Sequence, residues 1–279
     1  MVKVDKLIKN YGDFHLEVSL EIPKGRVSGL VGKNGAGKST TIKAILGLIR
    51  PDGGSVTING KEASAMSAVD KYSIGVALSD SGFSGQLCIQ DVISILGSMY
   101  PDFRPDYFKD CCQRLGLPLN KQIKDFSTGM KAKLRVLAAI SHRARLLVMD
   151  EPTAGLDIEA RNEILDLLRN YLQEDEKRSI LITSHISSDL EGLCDDIYLI
   201  HDGKIILHED TDAILSDYGL LKVDEGAFGK LDKKYILKSK KVNFGYECIT
   251  NERQFYAENY PDIIIEGGCI DDLILMMSA

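Results

Sequence analysis

The stretch VSGLVGKNGAGKST (Val27–Thr40) places a glycine-rich loop between two regular patterns. Its first five residues are mostly apolar, as in a buried strand, and residues Gly32–Ser39 fit the pattern G-x-x-x-x-G-K-[ST]. Apolar residues then recur at helical spacing, at Ile42, Ile45, Leu46 and Ile49. The stretch therefore predicts a strand, a phosphate-binding loop and a helix.

The chemistry of this loop follows from its residue types. Glycines let successive backbone N–H groups wrap a phosphate at the start of a helix, where the helix dipole is positive. The Lys38 ammonium can reach the β- and γ-phosphates, and the Ser39 hydroxyl can ligate Mg²⁺. A chance glycine turn would not explain both flanking patterns. The candidate nucleotide-binding residues are Gly32, Asn34, Gly35, Ala36, Gly37, Lys38, Ser39 and Thr40.

Strands and helices are predicted on both sides of the loop. Period-two apolar residues in HLEVSLEI predict antiparallel sheet within the first 25 residues, and residues of about 88–142 are helical by pattern. Strand, helix and strand follow at 146–150, 158–172 and 179–183. The predicted class is α/β: a P-loop NTPase core of mostly parallel strands covered by helices, with an N-terminal antiparallel β subdomain, the helical insertion and a small C-terminal α/β extension. The predicted domains are residues 1–219 and 220–279.

Two acids follow the apolar run LLVM, at Asp150 and Glu151. Ligands bind at the carboxyl edge of open α/β sheets, and neighbouring residues at a strand end point to opposite sides. We assign Asp150 to Mg²⁺ and Glu151 to general-base or water-orienting work. The next apolar strand ends at His185, which either caps the strand or contacts the γ-phosphate and senses its presence.

Composition excludes several classes of protein. Lys and Arg number 34 against 41 Asp and Glu, a net charge of −7, so we expect no broad nucleic-acid or anionic-lipid surface. Six cysteines without C-x-x-C spacing suggest reduced cytosolic thiols. With no apolar run of about 18 residues and no signal-like N-terminus, we expect a chain that neither spans a membrane nor leaves the cytosol.

Four segments in this order, GKNGAGKST, FSTGMK, LLVMDEPTAGLD and ITSH, together resemble the nucleotide-binding subunit of an ATP-binding cassette (ABC) transporter. The resemblance covers roughly residues 1–219. The tail more loosely resembles the C-terminal extension of some single-cassette exporter ATPases. The resemblance implies an ATPase that uses ATP and Mg²⁺ and works at the cytoplasmic face of the cell membrane, through a separate transmembrane permease subunit.

The resemblance also assigns roles to residues outside the phosphate loop. It implies that two subunits face each other head to tail, so that Ser127 and Gly129 of FSTGMK bind the partner's nucleotide, with Asp157 along the interface. A serine N-cap on a basic helix is the alternative for that turn. Tyr11 would stack on adenine, or be an exposed turn residue. We expect a homodimer, with a heterodimer left open.

The sequence departs from the family in two places. The usual signature Leu-Ser-Gly-Gly-Gln is reduced here to Ser127 and Gly129. Where the family places a metal-contacting glutamine, IGVALSDSG has Ser79 and Asp80, and Asp80 could supply an oxygen ligand. Gln86 and Gln90 lie several residues later and are further candidates.

The sequence also bears on the direction of transport, the transported cargo and the class of protein. The TGMK sequence and the tail favour export, with amphipathic peptides, antibiotics and lipids all open as cargo. The alternatives are a regulatory or non-transport ABC ATPase and a small-molecule P-loop kinase, but a kinase would leave FSTGMK, the acid pair and His185 unexplained. For the last sixty residues we expect structural packing, with regulation or a dimer contact left open.

Overall fold

The computed structural model describes residues 1–278 of the 279-residue chain. Its strands are β1 (Val2–Tyr11), β2 (Phe14–Ile22), β3 (Val27–Val31), β4 (Gly53–Ile58), β5 (Lys61–Glu62), β6 (Ile74–Ala77), β7 (Leu146–Asp150), β8 (Ser179–Thr183), β9 (Asp196–His201), β10 (Lys204–Asp210), β11 (Gly219–Val223), β12 (Ile236–Val242), β13 (Gly245–Thr250) and β14 (Ile264–Gly267). Its α-helices are α1 (Lys38–Ile45), α2 (Ala68–Lys71), α3 (Ile89–Met99), α4 (Pro105–Arg114), α5 (Thr128–Ile140), α6 (Ile158–Gln173), α7 (Ser187–Glu191), α8 (Thr211–Asp217), α9 (Glu225–Lys230), α10 (Arg253–Asn259) and α11 (Ile270–Met277).

The larger sheet has the strand order β5-β4-β1-β2-β10-β9-β3-β8-β7-β6. Strands β9, β3, β8, β7 and β6 run parallel to one another, so their carboxyl ends meet at one edge. All residues of β3, β7 and β8 are buried, as expected for parallel strands covered on both faces. This edge therefore gathers the phosphate loop, the acid pair and His185.

Antiparallel strands form the other half of this sheet. β1 pairs with both β2 and β4, and Val2 lies opposite Ile22 on one side and Ile58 on the other. The residues of β2 alternate between buried and exposed positions, and the apolar ones from Leu16 to Ile22 face the core. The predicted N-terminal antiparallel subdomain and parallel core are thus confirmed.

Helices α3, α4 and α5 lie between β6 and β7 in the chain, as the predicted helical insertion requires. Their apolar faces share one hydrophobic cluster with the sheet, and Phe108 and Leu137 are fully buried in it. Full burial of an apolar side chain of this size contributes about 1.5–3 kcal/mol. The insertion is therefore packed firmly on the parallel half of the sheet.

A second, four-stranded antiparallel sheet has the order β12-β13-β11-β14 and begins at Gly219. A small cluster that includes Leu221, Cys248 and Tyr256 fills one side of it. Helix α11 then returns to the first domain, where Leu273 and Met276 join the main hydrophobic cluster. The C-terminal extension thus has its own small core and a helix anchored in the larger one.

Within residues 1–278, no helix has the combined length and apolar character needed to cross a bilayer. The six cysteines are free thiols. Burial raises the pKa of Cys112 to about 12 and that of Cys248 to about 11, which keeps both thiols protonated and unreactive at neutral pH.

Candidate functional site

The phosphate loop, Gly32–Ser39, connects β3 to α1. Gly32 has φ of 153°, and a Cβ there would lie 2.2 Å from the carbonyl oxygen of Ile200, so only glycine fits against β9. Gly37, the N-cap of α1, has φ of 114°. The buried Lys38 ammonium donates to the Gly32 carbonyl at 2.8 Å, which places its charge inside the loop. The loop thus has the predicted form.

The other loop residues divide by exposure. Ala36 is buried, its N–H donates to the Lys33 carbonyl, and its own carbonyl accepts from Gly203 at 3.0 Å. Asn34 and Gly35 are exposed, and Thr40 is half-buried in the first turn of α1. The closed end of the loop is therefore anchored to the β9–β10 turn while its tip is open to a ligand.

Asp150 accepts hydrogen bonds from three hydroxyl groups at this edge of the sheet. Ser39 and Ser79 donate to its Oδ2 atom at 3.0 and 3.1 Å, and Thr183 donates to Oδ1 at 2.7 Å. The carboxylate itself is 3% exposed. Residues from α1, from the segment after β6 and from β8 thus converge on one buried charge, which hydroxyl donors stabilise.

Glu151 and His185 form a close pair beside Asp150. The Nδ1 atom of His185 lies 2.5 Å from Oε2 of Glu151, and the His185 backbone N–H donates to the same oxygen at 3.1 Å. The Glu151 N–H donates to the Thr183 hydroxyl at 3.0 Å. The structure therefore brings together the predicted base and the predicted γ-phosphate sensor.

The structure does not bring Asp80 to Asp150. The Asp80 carboxylate forms an ion pair with Lys43 of α1 at 2.7 Å, and this contact lowers the pKa of Asp80 and raises that of Lys43. Ser79, one residue earlier, contacts Asp150 instead. In this structure Lys43 therefore holds the Asp80 side chain against α1, and the role of Asp80 as a metal ligand stays a prediction.

The segment after β6 is held by a residue of α5. One nitrogen of the Arg135 guanidinium lies 3.1 Å from the Leu78 carbonyl oxygen, 2.9 Å from that of Ser79 and 3.4 Å from that of Ser81. Burial lowers the pKa of Arg135. Within residues 1–278, no hydrogen bond joins Gln86 or Gln90 to Asp150, and Gln90 lies in the first turn of α3.

Ser127 is the N-cap of α5, and its hydroxyl accepts from the Met130 N–H at 3.2 Å. Gly129 lies against Ala160 of α6, where a Cβ would approach to 3.3 Å. Asp157 caps α6 in the same region. Ser127 and Asp157 are exposed, and in the part of the chain that the structure describes none of the three residues forms a hydrogen bond with the phosphate loop.

Tyr11 ends β1 and is 49% exposed, with the Lys9 ammonium 5.3 Å from the centre of its ring. Its stacking on adenine stays a prediction. Thr183 was not predicted as a site residue. Its sequence signal is its place at the end of an apolar strand, and the structure sets it opposite Asp150 in the parallel register of β7 and β8.

The donor set around Asp150 fits Mg²⁺. The carboxylate and the hydroxyls of Ser39 and Ser79 offer only oxygen atoms, which this hard cation prefers. Among residues 1–278, no group of three or more His, Cys, Asp and Glu side chains could hold a metal ion. Mg²⁺ usually binds through one or two carboxylates together with substrate phosphates, so a single carboxylate beside a phosphate loop suffices.

Two comparisons of sequence identify relatives. Residues 16–154 match a family described as ABC transporter. The lantibiotic transport ATP-binding protein SrtF of Streptococcus pyogenes is 34% identical over 216 residues, which is 76% of this chain and 92% of SrtF. The linearmycin resistance ATP-binding protein LnrL of Bacillus subtilis (strain 168) is 33% identical over 213 residues, 74% of this chain and 68% of LnrL.

A solved structure shows the same fold. The dimer of MJ0796, a bacterial ABC transporter cassette, aligns with a TM-score of 0.67 over 76% of this chain and 99% of its own, at 21% identity. At that identity the likeness concerns the fold alone.

Proposed function

The chain belongs to the ABC transporter family as an ATP-binding subunit that hydrolyses ATP, and we propose from this premise that it drives export through a separate membrane-spanning subunit. The carrying observation is that one sheet edge gathers the phosphate loop, the Asp150 hydroxyl cluster and the Glu151–His185 pair. A P-loop kinase would need the loop and Asp150, but it has no use for that pair or for the exposed Ser127 turn.

The phosphate loop is the part of the chain that binds the phosphates of ATP. The backbone N–H groups of Gly35 to Ser39 and the N-terminus of α1 bind the phosphates of ATP, and Lys38 contacts the β- and γ-phosphates. The buried position of Lys38 supports this role, because an ammonium in a closed loop of carbonyls gains a strong partner when a phosphate enters.

Ser39, Asp150 and Ser79 would hold Mg²⁺. A cation bound there would neutralise negative charge on the phosphates of ATP while the γ-phosphoryl group is transferred to water. Ser79 takes the place in which the sequence suggested Asp80, since its hydroxyl is the one on Asp150. Thr183 fixes the other carboxylate oxygen and so orients Asp150 from behind.

Glu151 is the general base, or the group that orients the attacking water. Its carboxylate is 16% exposed and accepts two hydrogen bonds from His185, which fix its direction. His185, 54% exposed in its side chain, is free on its outer side to contact the γ-phosphate. Hydrolysis removes that contact, so His185 can report the state of the nucleotide.

The exposed turn that contains Ser127 and Gly129 acts on the nucleotide of a second subunit. The MJ0796 cassette was solved as a dimer, and within residues 1–278 no hydrogen bond joins this turn to the phosphate loop of its own chain, which supports action in trans. A head-to-tail pair of identical chains would complete two equivalent sites. We propose a homodimer.

The membrane-spanning partner docks on a groove between the segment after β6 and α5. The groove has a volume of about 550 Å³ and is lined by Ser79, Phe83, Gly85, Lys124, Lys131 and Arg135, among others. Its lining includes Ser79, which contacts Asp150, and residues of α5, whose N-cap is Ser127. A partner bound here would therefore contact both halves of the proposed ATP site. This docking would hold the chain at the cytoplasmic face of the cell membrane.

The cargo is proposed to be an amphipathic peptide or related antibiotic. SrtF is named for lantibiotic transport and LnrL for linearmycin resistance, and resistance is served by moving a compound outward. The Met130 and Lys131 of FSTGMK agree with the exporter type. Lipids remain an alternative class of cargo.

The variant Glu151→Gln tests the assignment of the base. We expect the purified variant to bind ATP with near-wild-type affinity and to lose hydrolysis by about 10²- to 10³-fold, because only the transition state uses the carboxylate. Glu176→Gln, an exposed glutamate before β8, is the matched control and should hydrolyse ATP normally. Near-wild-type turnover in Glu151→Gln would overturn the assignment.

A further inference from the structure

Helix α11, at the end of the C-terminal extension, contacts two segments of the ATP site. At its C-terminal end, the Ser278 carbonyl accepts a hydrogen bond from the Lys33 ammonium at 2.7 Å. Lys33 is the second residue of the phosphate loop, and the bond joins positions 245 residues apart in the chain. Helix carbonyls at a C-terminus carry partial negative charge, which favours a lysine there.

The other end of α11 binds α7, the short helix that follows His185. The Ser187 hydroxyl donates to Oδ2 of Asp271 at 2.7 Å. In return, Oε1 of Glu191 accepts the backbone N–H of Ile270, the first residue of α11, at 3.0 Å. Two reciprocal bonds thus fix α7 to α11, and Ser187 lies only two residues beyond His185.

Between these polar ends, α11 is seated in the main core. Ile270, Leu273 and Met276 are each at most 3% exposed and share a hydrophobic cluster with Leu190 of α7. An eight-residue helix is about 12 Å long. It therefore acts as a short rigid strut from α7 to the phosphate loop.

We propose that α11 positions His185 and the phosphate loop relative to each other, with Asp271 as its main positioning residue. The inference rests on the proposed function, since it concerns how that site is held. His185 orients Glu151, and α7 is held from the opposite side by Asp189, which accepts from Thr153 at 2.6 Å and pairs with Arg161. Loss of the Asp271 bond would leave the Glu191–Ile270 bond between α7 and α11, and would loosen the start of α7, next to His185.

Loss of this positioning should affect ATP hydrolysis more than ATP binding. Phosphate binding depends on the loop and Lys38, whereas alignment of Glu151 by His185 matters in the transition state. A loosened α7 should therefore lower kcat with little change in KM for ATP. Movements of the C-terminal sheet would reach the ATP site by the same route, because α11 also packs against β12 and β13.

The test compares two neighbouring acids in the first turn of α11. Asp271→Ala removes the acceptor for Ser187, and Asp272→Ala removes an equal charge whose contact is with Cys269. We expect kcat to fall about five- to tenfold in Asp271→Ala, with KM within about twofold, and to change less than twofold in Asp272→Ala. Asp271→Asn keeps an oxygen acceptor and should restore most of kcat.

Hydrogen exchange of the segment 184–191 provides a second readout. Asp271→Ala should exchange faster there than wild type, and Asp272→Ala should not. Equal kcat in wild type and Asp271→Ala, or equal losses in the two alanine variants, would overturn the proposal and make α11 a packing element only. Failure of the proposed function would show differently, as a wild-type chain that does not hydrolyse ATP.

Discussion

At the scale of single residues, Glu151 adopts a left-handed backbone conformation with φ of 50°. For a residue with a Cβ this conformation is uncommon and costs about 1–3 kcal/mol. Its N–H donates to both the carbonyl and the hydroxyl of Thr183, at 3.1 and 3.0 Å, which offsets that cost. The turn aims the carboxylate at His185 rather than along the strand, so the strain serves the direction of the proposed base.

Ser79 and Asp80 compete for one role, and a metal-binding measurement separates them. Ser79→Ala removes the hydroxyl 3.1 Å from Asp150 and should weaken Mn²⁺ binding, with Mn²⁺ as a probe for Mg²⁺, about tenfold in the presence of ATP. Asp80→Asn breaks only the partly exposed pair with Lys43 and should leave that affinity unchanged. Electron paramagnetic resonance of Mn²⁺ in a Glu151→Gln background reports binding without turnover.

The two variants are matched, because each removes one polar group from one of two neighbouring residues in the segment after β6. Weaker Mn²⁺ binding in Asp80→Asn with normal binding in Ser79→Ala would restore Asp80 as the ligand. It would also mean that Lys43 releases Asp80 when nucleotide binds.

At the scale of elements, local sequence patterns predicted those strands and loops whose structure depends on residues close together in the chain. Apolar runs with polar ends predicted β7 and β8 to the residue, and the glycine pattern predicted the phosphate loop. Thr183 was missed because a threonine within a strand is typical of strands in general. Its role arises only from the register that sets it opposite Asp150.

Charge favoured Asp80 over Ser79 in the prediction of a metal ligand, because a carboxylate is a better ligand for Mg²⁺ than a hydroxyl. The outcome depends on Lys43, which lies 37 residues away on the face of α1. The contacts of α11 with Lys33 and Ser187 were likewise beyond reach, because nothing in a short window specifies where a C-terminal helix docks. Long-range pairing, rather than local propensity, separates what was predicted from what was not.

The junction of α2, α3 and α5 predicts a dependence of stability on pH. His142, just after α5, stacks on Tyr100 with ring centres 4.0 Å apart, and its Nδ1 atom lies 3.1 Å from the Tyr72 carbonyl oxygen. Burial lowers the pKa of His142 below its ordinary value of 6.5. The unfolded chain therefore binds more protons below about pH 6.5, and this group reduces stability as the pH falls through that range.

His142→Phe keeps the stacking and removes the titration. At pH 8 it should cost about 1 kcal/mol, for the lost hydrogen bond to Tyr72. Between pH 7 and 5 its free energy of unfolding, from urea titrations, should fall less than that of wild type. A parallel decline in both proteins would show that His142 does not carry the acid dependence.

At the scale of the whole molecule, the proposed function assigns to each chain one half of each of two ATP sites. The phosphate loop, Asp150 and Glu151 lie at the carboxyl edge of the sheet, whereas Ser127 is the exposed N-cap of α5 and Gly129 lies half-buried in its first turn. Within residues 1–278 no hydrogen bond joins these two surfaces, and in the proposed arrangement each meets its complement on a second cassette. Two copies related by a two-fold axis would supply both.

Light scattering of Glu151→Gln with and without Mg-ATP tests that arrangement. We expect ATP to raise the molar mass from 30.8 kDa to twice that value, because blocked hydrolysis holds the closed dimer. Adding Ser127→Glu should keep the protein monomeric while ATP binding stays near normal, since the new charge would face the partner's phosphates and not its own. Ser98→Glu, an exposed site on α3 in the same helical insertion, is the control and should still dimerise.

The molar mass in solution and the affinity for ATP together distinguish a homodimer from a site within one chain and from a mixed assembly. If Ser127→Glu weakens ATP binding by the monomer, the turn acts on its own nucleotide, and the trans arrangement is wrong. If Glu151→Gln binds ATP yet remains at 30.8 kDa, two identical chains do not close by themselves. A different cassette or the membrane-spanning subunit must then supply the second half, which replaces the homodimer by a mixed assembly.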